Sequence, residues 1–171
     1  MKPDDFKIIL DDVRARHMAL VNLILFTDQK AMAVFRLYVT LGIAAAATAA
    51  TGFFREDQLL QFARWPLIIT AAWLAIGALY CFHAMTRPSI NLPGRGPEFW
   101  EWALKPENET IEVVNAYLSE LRERQQVNRK LNDDAAGSLA VAIWVGITTP
   151  AITALPAAVS ILFTAVQSSN P

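Results

Sequence analysis

Apolar positions along the 171-residue chain follow two patterns, helical spacings of three and four and long blocks without a charge. Phe6, Leu10, Val13, His17, Leu20 and Ile24 alternate at steps of four and three, which predicts an amphipathic N-terminal helix able to pack a seam. Pro3, Asp4 and Asp5 suit its start, where proline's missing N–H costs little and acidic groups complement the helix dipole. Leu37 to Phe54 then gives eighteen residues without a charge, about 27 Å of helix. Trp65 to Thr86 gives twenty-two more between Arg64 and Arg87, with Trp65 and Tyr80 as interfacial anchors. Each block is long enough to cross a bilayer.

The last apolar block is too long for one straight crossing. Ala135 to Pro171 carries no formal charge, and Pro150 and Pro156 inside it each remove a helical hydrogen bond. One kinked span is the preferred reading. A hairpin split at Thr148-Thr149-Pro150 stays open, although its arms of about 13 to 16 residues fall short of the ~17 a span needs. Lysine and arginine number six before the first span, two between the first and second, seven between the second and third and none beyond, which accounts for all 15. Under the positive-inside rule that alternation places the N-terminus in the cytoplasm and the C-terminal tail outside.

The expected fold class is therefore all-α, a three-span transmembrane bundle with an N-terminal amphipathic helix and a cytoplasmic helical segment. Residues 1–36 form the cytoplasmic helix, 37–54 the first span, 55–64 a periplasmic loop and 65–86 the second span. Residues 87–134 form a cytoplasmic linker and helix, 135–166 the kinked third span and 167–171 a periplasmic tail.

Within the second cytoplasmic segment, residues 87–97 hold three prolines and two glycines and read as a turn-rich linker. Gly94-Arg95-Gly96 lacks the preceding strand and the Gly-Lys-Ser/Thr ending of a phosphate loop, so a plain loop is favoured. Trp100 and Trp102 suit a membrane interface or the covering of a helix end, with a base-stacking platform as the alternative. A long helix is predicted from Asn108 as N-cap, with Glu109 and Glu112 in its first turn. Its seam reads Ile111, Val114, Leu118, Leu121, Gln125, Asn128, Asn132 and Ala135, apolar first and then polar, beside Arg122, Arg124, Arg129 and Lys130. Three successive polar seam residues sacrifice helix packing. They mark either a solvated stretch or a cavity where amides meet a base edge and arginines a phosphate.

Composition narrows the chemistry. The apolar fraction of 54% exceeds that of ordinary soluble domains. A net charge of −1 gives no global attraction to nucleic acid, and none is expected as a partner. Cys81, alone and inside an apolar block, excludes an intrachain disulfide and a cysteine-rich metal site. The polar, acidic start argues against a cleaved signal, leaving the first span to direct insertion. No HExxH, Walker A, nucleophile-elbow or dinucleotide motif occurs, so neither catalysis nor a resident cofactor is expected. His17 reads as a packed seam residue or a proton-linked switch; His83 has Asn91 or lipid headgroups within reach. Gly42, Ala46 and Ala50, and likewise Ser138, Ala142 and Gly146, repeat every four residues, faces that permit tight bundles or a homo-oligomer.

In its order of helix, span, short loop, span, linker, helix and span, the chain resembles the transmembrane-type effectors of Pycsar antiphage systems. The matching features are Phe26-Thr27-Asp28-Gln29-Lys30-Ala31, the Arg87-Pro88 exit, Glu98-Phe99-Trp100 and the Asn128-containing helix before the last span. The resemblance covers nearly the whole chain as architecture with short motifs. It implies an inner-membrane antiviral defence protein activated by a cyclic pyrimidine mononucleotide (cCMP or cUMP) from a partner pyrimidine nucleotide cyclase. Activation would impair the membrane and cause abortive infection. Joined to the polar seam, it nominates Arg122, Gln125, Asn128, Arg129 and Asn132 as the nucleotide-binding residues. Two other classes stay open, an accessory subunit of a larger membrane complex and a small membrane enzyme, the latter lacking any convergent acid, base or nucleophile. The topology is tested with reporter fusions: those after residues 60 and 171 should register as periplasmic and one after residue 110 as cytoplasmic. A cytoplasmic signal at residue 171 would overturn the three-span order.

Overall fold

The computed structural model describes residues 3–54, 58–86 and 89–168, with side chains described over 7–54, 62–86 and 89–159. The chain is all-α, in the order α1 (Pro3–Phe54), α2 (Gln58–Met85), α3 (Pro97–Ala103) and α4 (Thr110–Ser168), with no strand among the described residues. Three helices are long and apolar enough to cross a membrane. The N-terminal seam helix and the first apolar block form one helix, as nothing between them breaks it.

Three boundaries differ from expectation. Residues 58–64, expected in a loop, belong to α2, because Arg64 bounds the uncharged block without breaking the helix, which also accommodates Pro66. α4 runs through Pro150 and Pro156 without interruption, which removes the hairpin and carries helix to Ser168 inside the expected tail. Asn108 caps a different helix end: its side-chain amide donates to the Trp102 carbonyl at 2.6 Å, closing α3, while the Glu109 carbonyl accepts the first amides of α4. Residues 55–57, Arg87-Pro88 and 169–171 lie outside the described residues, as does the side chain of Phe6.

The chain divides into two units, residues 1–28 with 87–134, and residues 29–86 with 135–171. In the first, His17, Val21 and Ile24 of α1 are buried, as are Tyr117, Leu121, Asn128 and Asn132 of α4. Much of each expected seam is thus inside. Ile111 is an exception at 49% exposed, and Leu118 and Gln125 are half-buried.

The second unit has the reverse distribution of a soluble core. Large apolar side chains such as Ile43, Phe54, Leu79, Trp144 and Leu155 face outward, while Ala31, Ala78, Cys81, Ala84 and Ala142 are inside. Outward apolar and inward small residues are what lipid-facing helices require, since lipid does not drive large apolar groups inward. Tyr38 is the largest side chain of this interior. Its hydroxyl donates to the Ala142 carbonyl at 2.7 Å, and its ring lies on Gly77 and Gly146. A Cβ on Gly77 would come within 2.7 Å of the Tyr38 ring and 2.9 Å of Val145; one on Gly146 would meet the Tyr38 hydroxyl. Gly146 of the Ser138-Ala142-Gly146 face is therefore used within the chain, whereas Ala46 and Ala50 remain exposed.

Several threonines and Trp73 of this unit are paired within it. Thr70 bonds to the Pro66 carbonyl and to the Thr153 hydroxyl, each at 2.8 Å. The Trp73 indole N–H reaches the Val145 carbonyl at 3.1 Å, and the hydroxyls of Thr148 and Thr149 turn back onto the same carbonyl. Such internal pairing allows prolines and threonines within an apolar helix. Gly77→Val should lower the stability of the purified protein in detergent by about 1–3 kcal/mol through overpacking. Tyr38→Phe should cost only about 0.6 kcal/mol, the usual scale of a hydrogen bond between apolar helices. Thermal unfolding in micelles checks both, and equal losses would remove the assigned role of the glycine slot.

Candidate functional site

The linker after α2 has too many prolines and glycines to satisfy its own backbone, so α4 does it. Asn128 is fully buried, and its side-chain amide pairs with both polar groups of Asn91: Nδ2 donates to the Asn91 carbonyl at 2.8 Å and Oδ1 accepts the Asn91 N–H at 3.0 Å. His17, also fully buried, donates from Nε2 to the same carbonyl at 2.8 Å. Since a carbonyl only accepts, Nε2 carries a proton in this contact, and Nδ1 has no partner among the described residues. His17 is thus a packed seam residue; of Asn91, which with lipid headgroups is expected within reach of His83, the backbone carbonyl is held by His17 and Asn128.

A second knot fixes the loop beside α3. Gly94 has φ 112°, a left-handed conformation open to glycine, and its carbonyl accepts from Arg124 at 3.0 Å. Arg95, with a side chain 4% exposed, pairs with Glu120, donates to the Ala116 carbonyl at 3.2 Å and lies over the Phe99 ring at 4.4 Å. Glu120 also accepts from Arg124 at 2.8 Å. Burial lowers the Arg95 guanidinium below its usual range and Arg124 adds to this, while Tyr117 opposes it. Arg14 donates to the Tyr117 hydroxyl at 3.0 Å. Gly94-Arg95-Gly96 is a structural loop whose cation is consumed by the protein, and Phe99 and Trp102 pack in the same aromatic cluster.

The groove between α1 and α4 in this unit is different. Arg16, Leu20 and Leu23 of α1 line it from one side, and Arg122, Gln125, Arg129 and Asn132 of α4 from the other, enclosing about 460 Å³. Gln126 and Asp133 complete the lining. Arg122, Gln125, Arg129 and Asn132, all nominated from the seam, come together here. Asn128 does not: it points inward to Asn91, because on a helix packed on one side the middle of the seam is the interior rather than the rim. Asn132 accepts from Thr27 at 3.3 Å, and Gln125 donates to the Val13 carbonyl at 3.3 Å. Arg16, missed in the sequence, lies one residue before the seam position His17, and the periodicity of α1 alone does not show which flank meets α4.

No family model, curated protein or solved structure matches the chain. The two roles separate by stability. Asn128→Ala leaves the Asn91 N–H without its acceptor and the Asn91 carbonyl with His17 alone, and should cost about 1–3 kcal/mol. Arg129→Ala, at an exposed position, should stay within about 0.5 kcal/mol of wild type. Chemical denaturation in micelles measures both, and an Asn128→Ala variant as stable as wild type would overturn the clasp.

Proposed function

We propose that this chain is a multi-pass protein of the bacterial inner membrane, N-terminus in the cytoplasm, that acts as an antiphage effector. A cyclic pyrimidine mononucleotide from a partner cyclase is its activating ligand, and the activated protein impairs the membrane to abort infection. The observation that carries this reading is the arginine-rimmed groove, where four of the five residues nominated for the ligand meet a third arginine. Guanidinium groups suit a phosphate, Leu20 and Leu23 offer an apolar surface to a base, and the amides of Gln125 and Asn132 supply donors and acceptors for its edge. The resemblance in helix order supplies the biological setting. The outward apolar surface of the second unit supports residence in lipid, and the exposed Ala46 and Ala50 give a face for self-association.

The groove is tested by titrating the detergent-purified protein with cyclic CMP and cyclic UMP, with cyclic AMP as control. Arg122→Ala and Arg129→Ala should each weaken pyrimidine nucleotide binding about tenfold or more, the scale of a lost charge-assisted hydrogen bond. Wild-type protein that binds neither pyrimidine nucleotide would overturn the reading.

A further inference from the structure

The described arginines of the first unit fall into two groups. Arg14, Arg95 and Arg124 are tied to Tyr117, to Glu120 and to backbone carbonyls. Arg16, Arg122 and Arg129 are exposed and form no hydrogen bond or ion pair among the described residues. A smaller cavity of about 300 Å³ adjoins the groove, and Arg16, Arg122 and Gln125 line both. These three residues therefore stand at the junction of the two cavities. Gln125 holds that junction together by donating to the Val13 carbonyl of α1 at 3.3 Å. Two like charges on opposing helices are thereby kept facing one space, at an electrostatic cost that an anion between them would remove. Each cavity also has one carboxylate in its lining that the other lacks, Asp133 in the larger and Asp12 in the smaller.

We infer that Arg16 and Arg122 form a phosphate clamp between α1 and α4, gripping one oxyanion at the junction of the two cavities. The ligand's uncharged body lies on Leu20 and Leu23 in the larger cavity, and Arg129 meets its far end. Binding neutralises the facing cations and so tightens α1 against α4 in this unit. The inference rests on the groove of the proposed function being a ligand site, but not on the ligand being a cyclic nucleotide. A soluble phosphate ester and an anionic lipid headgroup present the same group.

The test uses the full chain in phosphatidylcholine nanodiscs, with thermal midpoint and binding as readouts. Three probes are compared: inorganic phosphate, cyclic CMP, and replacement of part of the lipid by phosphatidylglycerol. At least one should raise the midpoint of wild type and not that of Arg16→Ala. Arg16→Ala and Arg122→Ala should each weaken the effective probe about tenfold. The double variant should be little weaker than either single one, because both grip one group, whereas independent contacts would multiply to about a hundredfold. Arg16→Lys should retain part of the affinity, and without ligand the Arg16→Ala midpoint should equal or exceed that of wild type. If phosphate or phosphatidylglycerol acts through Arg16 while cyclic CMP here and cyclic UMP in the titration above do not bind, the clamp stands and the nucleotide reading falls. Cyclic CMP binding that is unchanged in Arg16→Ala overturns the clamp and leaves the nucleotide reading in place. No response to any probe overturns the clamp.

Discussion

A proline- and glycine-rich linker can be buried against long helices only if something else pairs its peptide groups, and in the first unit that is the amide of Asn128. An amide side chain presents one donor and one acceptor in the geometry of a peptide, so a single residue closes both ends of the Asn91 unit. His17 completes the arrangement from α1. The polar half of the seam is then no failure of packing. It exchanges apolar contact for a fixed linker path, and that path sets the position of Gly94, Arg95 and the aromatic cluster that follows.

Consuming three arginines in that cluster is what gives the other three their significance. Cations paired with Glu120, Tyr117 and carbonyls are structural, and their charge is spent. The groove cations line their space without an ion pair among the described residues, beside a Gln125 that bonds α4 to α1. A surface arranged in this way discriminates by charge before it discriminates by shape.

Much of this was legible in the sequence, and the failures have a common cause. The spacing of His17 and Ile24, and of Leu121, Asn128, Asn132 and Ala135, identified faces that are indeed buried. Uncharged length identified three helices able to cross a membrane. Periodicity assigns a residue to a face but not to a partner, so it does not distinguish Asn128, which turns to Asn91, from its groove-lining neighbours, and it gives no sign of Arg16. Asn108 was read as the start of α4 because a cap residue lies near two helix ends, and only the fold decides which carbonyl or amide it reaches. The Tyr38 slot had no signal at all, since a tyrosine in an apolar block resembles any interfacial anchor.

That slot ties together three positions that lie far apart in the chain. Tyr38 fills the space that Gly77 and Gly146 leave open, and neither glycine can acquire a side chain while the ring is there. The three positions therefore share one mutational fate. A smaller residue at 38 would release Gly146 to change and would leave Gly77 opposed by Val145 alone, and a larger residue at either glycine would be accepted only after the ring had gone. Among related sequences these positions would drift as a set, a correlation that would mark how the helices of this unit are registered even where every other apolar residue had been exchanged.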